Sequence, residues 1–173
     1  LACALIAGCT TAQTAPTAAT VKLEPIATVC EGRDGWGDPA PPAHIYGNVY
    51  TVGTCGIVSL LITTPQGHFL IDGAIPEAAT EIAQNIRELG FDPRDVRYLL
   101  NSHEHVDHAG GLAGLKRITG AKMLARAESK DALESGDVHP SDPQKGLFEP
   151  VEGVKVDHDE VLGILSLSAF IFS

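Results

Sequence analysis

Apolar residues in the first half of the chain form three short runs separated by turn residues. The runs cover residues 45–52, 56–63 and 67–71, and the second is unbroken, which is typical of a strand buried on both faces. Residues 64–67 combine threonine, proline and glycine in a sequence that favours a turn. We therefore predict three strands that form an antiparallel meander.

The apolar period becomes helical over residues 76–89. Ile82, Ile86 and Leu89 lie on one stripe of this predicted helix. Later segments are predicted as strands at 96–100, 121–125, 154–156 and 161–169, as helices at 109–118 and 128–134, and as loops at 32–42, 103–108 and 139–150. Strands in antiparallel order, followed by alternating helices and strands, predict an α+β or α/β layered fold.

The N-terminal residues resemble an export signal. Residues 1–8 are small and apolar, like the end of a signal peptide, and the run that ends at Cys9 resembles a bacterial lipobox, in which the cysteine carries a lipid. The alternative is an ordinary signal peptide that merely contains Cys9. Both predict a periplasmic protein, which in the first case is a lipoprotein anchored to the membrane. The Thr- and Ala-rich residues 9–29 predict a flexible tether, and residues 30–173 predict a single domain.

The chain is acidic. Its formal net charge is −10 and its pI is near 5.0, so it would repel phosphate backbones and no nucleic acid is expected as a partner. The sequence contains no apolar run of the roughly 18 residues that a membrane span requires. No feature of the sequence predicts an oligomeric state.

Cys30 and Cys55 are the two cysteines that lie outside the N-terminal segment holding Cys3 and Cys9. In an oxidising periplasm two such cysteines would pair. The alternative is two buried free thiols, because the sequence does not show whether their Cα atoms are close enough to bridge. We favour the disulfide.

Four metal-binding side chains lie within six residues, directly after the predicted strand 96–100. They are His103, His105, Asp107 and His108. In an extended segment residues i and i+2 point the same way, so both imidazoles of the first pair would reach one metal ion. The second pair follows a change of direction and suits a second ion beside the first. Imidazole and carboxylate ligands suit zinc; the alternative is a His-rich surface loop with adventitious metal affinity.

This cluster resembles the H-x-H-x-D-H signature of the metallo-β-lactamase superfamily. Further segments are similar to the third subclass of true metallo-β-lactamases, whose zinc ligands are histidine and aspartate; they cover residues 35–42, 47–50, 52–56, 70–74 and 102–111. The resemblance implies an α+β fold, the four-layered αβ/βα sandwich with its site between two sheets. The chain would hold the N-terminal half of that sandwich and part of the second half.

The resemblance also implies roles for individual residues. His103 and His105 would bind a first zinc ion, Asp107 and His108 a second, and Asp107 would also act in catalysis by orienting the attacking water. Asp72 would support the metal loop through hydrogen bonds, although an aspartate before Gly73 is equally typical of a turn. The implied reaction is hydrolysis of the β-lactam ring of a small-molecule antibiotic by zinc-activated water, without a covalent enzyme intermediate.

The sequence departs from this family after Val156. The Pro-Gly-His segment that supplies a third histidine to the first zinc is not found, and four other histidines (His44, His68, His139 and His158) are predicted to be exposed. A catalytic zinc normally has three protein ligands, so we expect this 173-residue chain to bind zinc weakly and to hydrolyse β-lactams poorly. The alternatives are another hydrolase of the superfamily, such as a lactonase or thioesterase, and a non-catalytic zinc-binding exported protein.

Overall fold

A computed structural model describes residues 25–159 of the chain. The predicted signal remnant, Cys9, most of the predicted tether and the predicted strand at 161–169 lie outside the described residues. Within residues 25–159, no helix is long and apolar enough to cross a membrane.

The described residues form one mixed sheet of six strands in the order β1-β2-β3-β4-β5-β6. Neighbouring strands are antiparallel from β1 to β4, and β5 and β6 then add in parallel. The strands are β1 (Ala43–Tyr46), β2 (Val49–Thr51), β3 (Leu60–Ile62), β4 (His68–Ile71), β5 (Val96–Leu100) and β6 (Lys122–Met123). The antiparallel meander and the α+β class predicted from the sequence are therefore confirmed.

Five α-helices accompany the sheet within residues 25–159. They are α1 (Ile26–Val29), α2 (Ala79–Glu88), α3 (Val106–Ala109), α4 (Leu112–Thr119) and α5 (Lys130–Ser135). Short 3₁₀ turns precede α2, β5 and α5 at Pro76–Ala78, Pro93–Asp95 and Ala127–Ser129. Helix α2 follows a proline-led turn and has Arg87 in its last turn, both of which are typical of helix ends. It confirms the helix predicted within residues 76–89.

Three predicted strands are wrong in extent or kind. Residues 45–52 form parts of two strands because Gly47, at φ +55°, turns the chain between β1 and β2. The apolar run 56–63 is strand only at Leu60–Ile62, since residues 53–58 bend instead, with Thr54 donating its N–H to the Ile57 carbonyl at 2.9 Å. Residues 154–156 are buried in part but pair with no strand among the described residues.

One apolar core joins the sheet to α2 and α4. Ile82 and Ile86 are fully buried and Leu89 is almost so, which confirms the predicted stripe of α2. They pack with further fully buried side chains from the sheet and from α4, namely Leu61, Leu70, Leu99, Leu112 and Leu115. This core holds the ends of β4 and β5 in place, and the chemistry described below lies at those ends.

A disulfide joins Cys30 to Cys55, as the sequence analysis favoured. It attaches the end of α1, which leads into the irregular loop 32–42, to the bend that precedes β3. Two hydrogen bonds reinforce the attachment: Cys55 donates its N–H to the Asp38 carbonyl at 2.8 Å, and the Thr54 hydroxyl donates to the Trp36 carbonyl at 2.8 Å.

Candidate metal centre

The candidate site lies where β4 and β5 end. These strands are parallel neighbours, so their carboxyl ends meet at one edge of the sheet. Asp72 directly follows β4 and donates its N–H to the carbonyl of Leu100, the last residue of β5, at 3.0 Å. The residues after each strand are thereby brought side by side, which is a common location for binding sites in sheets with parallel strands.

The segment predicted as a loop at 103–108 is a loop only in its first half. Residues 103–105 are irregular, and α3 begins at Val106 after an extended His105. The N–H groups of His108 and Ala109 donate to the His105 carbonyl at 2.9 and 2.8 Å. This turn reverses the chain, so that His108 returns to the neighbourhood of His103, with their ring centroids 4.0 Å apart.

Asp72 is the buried acceptor that organises this loop. Its Oδ1 accepts the Ser102 N–H at 2.7 Å, and its Oδ2 accepts the Ser102 hydroxyl at 2.8 Å and lies 2.9 Å from Nδ1 of His108. An ionised carboxylate only accepts hydrogen bonds, so Nδ1 of His108 carries the proton. The Nε2 lone pair of His108 is then left for a metal ion.

Ser102 fixes the protonated nitrogen of His103 in the same way that Asp72 fixes that of His108. Its hydroxyl donates to Asp72 and lies 3.0 Å from Nδ1 of His103, so the serine oxygen is an acceptor for the His103 Nδ1–H. His103 therefore also presents Nε2 as its free donor atom. Ser102 has no role that its sequence neighbourhood predicts, because a serine beside a histidine motif is not distinguishable from an ordinary loop serine without the position of Asp72.

His105 is held by a residue from a distant part of the chain. Its Nε2 lies 3.0 Å from Oδ2 of Asp142, in the predicted loop 139–150. The hydrogen bond from His105, joined by one from the Gln144 N–H, lowers the pKa of the Asp142 carboxyl. Asp142 could not be identified from the sequence, since nothing in its neighbourhood marks it as different from the other acidic residues of that loop.

Three of the four predicted ligands converge in the structure. One donor atom from each of His103, Asp107 and His108 lies within 4.8 Å of the others, and Oδ2 of Asp107 is 3.5 Å from Nε2 of His108. His105 lies beside this group, with its ring centroid 4.8 Å from that of His103. The structure thus brings three of the four together with His105 next to them, and their division between two ions stays a prediction.

The chemistry of the donor set fits a divalent metal ion. Two imidazole nitrogens and a carboxylate oxygen are ligands that zinc accepts. Burial lowers the pKa of His103, and the neighbouring His108 and His105 lower it further. The neutral imidazole, which is the form that binds metal, is therefore favoured at neutral pH.

Close backbone packing places the loop against the end of β4. Gly73 donates its N–H to the His108 carbonyl at 2.7 Å, and Gly111 donates to the Ala74 carbonyl at 3.0 Å. A Cβ atom on Gly111 would lie 2.1 Å from the Gly73 oxygen, so only glycine fits there. Asp72 and Ala74 have positive φ angles of 65° and 52°, which are unfavourable for side-chain residues and are held by this packing.

The remaining histidines lie outside the group of three. His44, His139 and His158 are exposed, as predicted. The prediction for His68 is wrong: it is only 5% exposed and packs edge-on against Phe91, with ring centroids 5.1 Å apart. Its Nδ1 accepts the Thr64 N–H at 3.3 Å, so one hydrogen bond and one aromatic contact let β4 bury a histidine that the sequence places beside a turn.

Comparisons with known proteins agree on one family. The family described as the Metallo-beta-lactamase superfamily matches residues 52–170. The crystal structure of the metallo-beta-lactamase MIM-1 from Novosphingobium pentaromativorans is 52% identical, with a TM-score of 0.76, over 79% of this chain and 51% of that one. MEM-A1, a subclass B3 metallo-beta-lactamase from a soil metagenome library, is 45% identical, with a TM-score of 0.69, over 73% of this chain and 48% of that one.

Curated sequence relatives include lactonases. The N-acyl homoserine lactonase AttM of Agrobacterium fabrum is 35% identical over 132 residues, which are 60% of this chain and 49% of that protein. The chain therefore spans about half the length of the proteins that it matches.

Proposed function

The chain belongs to the metallo-beta-lactamase superfamily, and on this premise we propose that it serves metal-dependent hydrolysis of the β-lactam ring. The family and fold inferred from the sequence are confirmed, and the relatives with solved structures are β-lactam hydrolases by name. One observation carries the proposal for this chain: donor atoms of His103, Asp107 and His108 gather within 4.8 Å at the ends of two parallel strands.

The residues present would hold zinc through the two imidazoles and the carboxylate of that group, with His105 beside them for a second ion. Zinc bound there would supply Lewis acidity, which activates water for hydrolysis near neutral pH. The Asp107 carboxylate would in addition accept a hydrogen bond from the attacking water and so orient it towards the substrate carbonyl.

The protein's own side chains supply no covalent nucleophile in this scheme. Ser102 has a hydroxyl 3.0 Å from His103, but this hydroxyl donates to Asp72 at 2.8 Å and accepts from His103. Its hydroxyl proton faces a carboxylate that also binds His108. Ser102 is therefore a structural member of the hydrogen-bond network, and a water molecule remains the attacking group.

A lactone is the second substrate class to test. The 35% identity to an N-acyl homoserine lactonase over 132 residues favours it, and both reactions open a cyclic acyl group at its carbonyl. The higher identity of 52% to the metallo-beta-lactamase MIM-1 makes the β-lactam the first choice. Zinc binding without hydrolysis of either class would favour the non-catalytic alternative.

We also propose that the protein is exported to the periplasm, with Cys9 as the site of a lipid anchor if the lipobox is used. The Cys30–Cys55 disulfide supports an oxidising compartment. Labelling with a radioactive fatty acid in cells that express the protein, compared with Cys9→Ser, separates lipidation from export by an ordinary signal peptide.

A chimera tests the proposed substrate class directly. Residues 52–159 replace the matching segment of MIM-1, and the purified zinc-loaded protein is assayed with a cephalosporin, a penicillin and an N-acyl homoserine lactone. We expect β-lactam hydrolysis that Asp107→Asn lowers by about 100-fold or more, since this change removes both a ligand and the group that orients water. Asp95→Asn, an exposed position within the transferred segment, is the matched control.

Two other results of the chimera assay would change the proposed function. Hydrolysis of the lactone alone would replace the β-lactam with the second substrate class. A folded, zinc-loaded chimera that hydrolyses neither substrate would contradict the proposed function. The 173-residue chain itself is expected to hydrolyse nitrocefin slowly, because none of its five other histidines joins His103, Asp107 and His108 within the described residues.

A further inference from the structure

Asp142 reaches the candidate metal centre from a loop that is fixed at its base. The segment 136–151 leaves α5 at Gly136 and returns at Val151, whose N–H donates to the Gly136 carbonyl at 2.9 Å. A Cβ atom on Gly136 would lie 1.9 Å from the Val151 oxygen, so the two backbones touch where the loop closes. Between these points the chain extends to His105, 37 residues away from Asp142 in sequence.

Both carboxylate oxygens of Asp142 have partners. Oδ1 accepts the Gln144 N–H at 2.7 Å, and Oδ2 lies 3.0 Å from Nε2 of His105. The two side chains are mostly buried, with 18% and 22% of their surfaces exposed. The contact is therefore partly buried, and the backbone bond to Gln144 sets the direction of the carboxylate.

The protonation of His105 follows from this contact. An ionised carboxylate accepts hydrogen bonds and donates none, so the nitrogen that faces it must carry the proton. In neutral His105 that leaves the lone pair on Nδ1. A metal-binding histidine commonly donates its second N–H to a carboxylate, which fixes the ring orientation and increases its basicity.

We infer that Asp142 is a positioning residue that holds His105 with its proton on Nε2 and presents Nδ1 to a metal ion. The inference rests on the proposed metal-dependent function. It gives His105 the opposite arrangement to His108, whose Nδ1 donates to Asp72 and whose Nε2 faces Asp107. The two histidines are thus oriented by carboxylates from separate segments, the end of β4 and the loop 136–151.

A direct role of Asp142 as a metal ligand is the competing arrangement. It would require Oδ2 to exchange its hydrogen bond with His105 for a metal ion, and Oδ1 is already directed towards the backbone of Gln144. The positioning role needs no rearrangement of these contacts.

The first test is made on the metal-free chain. Long-range ¹H–¹⁵N NMR correlations report which ring nitrogen of each histidine carries the proton, and His105→Gln assigns the signals. We expect His105 with its proton on Nε2 in the parent chain and a mixture of both tautomers in Asp142→Ala. Asp137→Ala, which removes a carboxylate of the same loop that pairs with Lys145, is the control and should leave His105 unchanged.

The second test is a cobalt titration followed by visible absorption. Loss of the Asp142 carboxylate should weaken cobalt binding by about 10- to 100-fold, while the spectrum at saturation keeps its shape because the ligands are the same. Asp142→Glu should bind cobalt with an affinity between those of Asp142→Ala and the parent. The control Asp137→Ala should bind cobalt as tightly as the parent. A changed spectrum at saturation in Asp142→Ala would identify a lost ligand and overturn the positioning role.

The two tests separate this inference from the proposed function. If the parent chain shows the Nε2 proton but binds no cobalt, the contact stands and the metal function fails. If cobalt binds normally and the tautomer of His105 is the same in the parent and in Asp142→Ala, the positioning role is wrong while the metal function remains.

Discussion

Nδ1 of His108 lies 2.9 Å from Oδ2 of Asp72, although 36 residues separate them in the chain. The contact exists because β4 and β5 are parallel neighbours whose ends deliver these two segments to the same edge of the sheet. It orients the Nε2 atom of His108 towards Asp107. The position of a carboxylate at the end of one strand therefore determines which atom of a histidine after the next strand is available to a metal ion.

Asp72→Asn should weaken metal binding. Asparagine tolerates the positive φ of this position, so the backbone is retained while the charged acceptor of three hydrogen bonds is lost. We expect zinc affinity to fall by about 10- to 100-fold, measured by isothermal titration calorimetry. Asp95→Asn, in the 3₁₀ turn before β5, serves as a control of equal charge change, and an Asp72→Asn variant that binds as tightly as this control would contradict the assigned role.

Gly111→Ala should displace the loop 103–108 that carries the candidate ligands, because the added methyl group clashes with the backbone of Gly73. The new Cβ would lie 2.1 Å from the Gly73 oxygen, so the loop must move away from β4, at a cost of about 1–3 kcal/mol and with weaker zinc binding. Gly120→Ala is the comparison, because its Cβ meets nothing within 4 Å and only its φ of +73° opposes alanine. Urea unfolding should show both variants destabilised, whereas zinc titration should show only Gly111→Ala impaired.

The buried His68 should make stability depend on pH. Burial lowers its pKa from the ordinary value of 6.5, so below about pH 6.5 the unfolded chain binds a proton that the folded chain does not yet bind. The free energy of unfolding should therefore fall as the pH drops from 7 towards 5, and level off below the folded pKa. His68→Phe keeps an aromatic ring against Phe91 and removes this titration.

Urea unfolding of the parent and of His68→Phe at both pH values measures the difference. Other titrating groups are common to the two proteins and cancel in the comparison. Identical losses of stability between pH 7 and 5 would show that His68 is not the cause.

The sequence predicted what local patterns encode. The helix that carries Ile82 and Ile86 was predictable because apolar residues at a 3.6-residue period are typical of an amphipathic helix. The four metal-binding side chains were recognisable from their chemistry and spacing alone. Strand boundaries were less accurate. Gly47 divides one predicted strand into two, because a single residue at positive φ interrupts an apolar run without changing its composition.

The contacts made across long sequence distances could not be predicted. His68 is buried because Phe91, which follows α2, packs against its ring, and a sequence period does not report that contact. Ser102 and Asp142 acquire roles only when Asp72 and His105 are placed beside them. These roles depend on tertiary geometry, whereas the ligands themselves depend on residue type and spacing.

If His103, Asp107 and His108 form a metal site, zinc uptake by the chain depends on these three side chains. The purified chain is dialysed against buffered zinc, and bound metal is determined by atomic emission, for the parent, for His103→Ala/Asp107→Ala and for the control His139→Ala/Asp34→Ala. We predict that the parent and the control take up zinc equally and that the double variant of the site loses this uptake. Equal zinc uptake by the double variant and the parent would contradict the account.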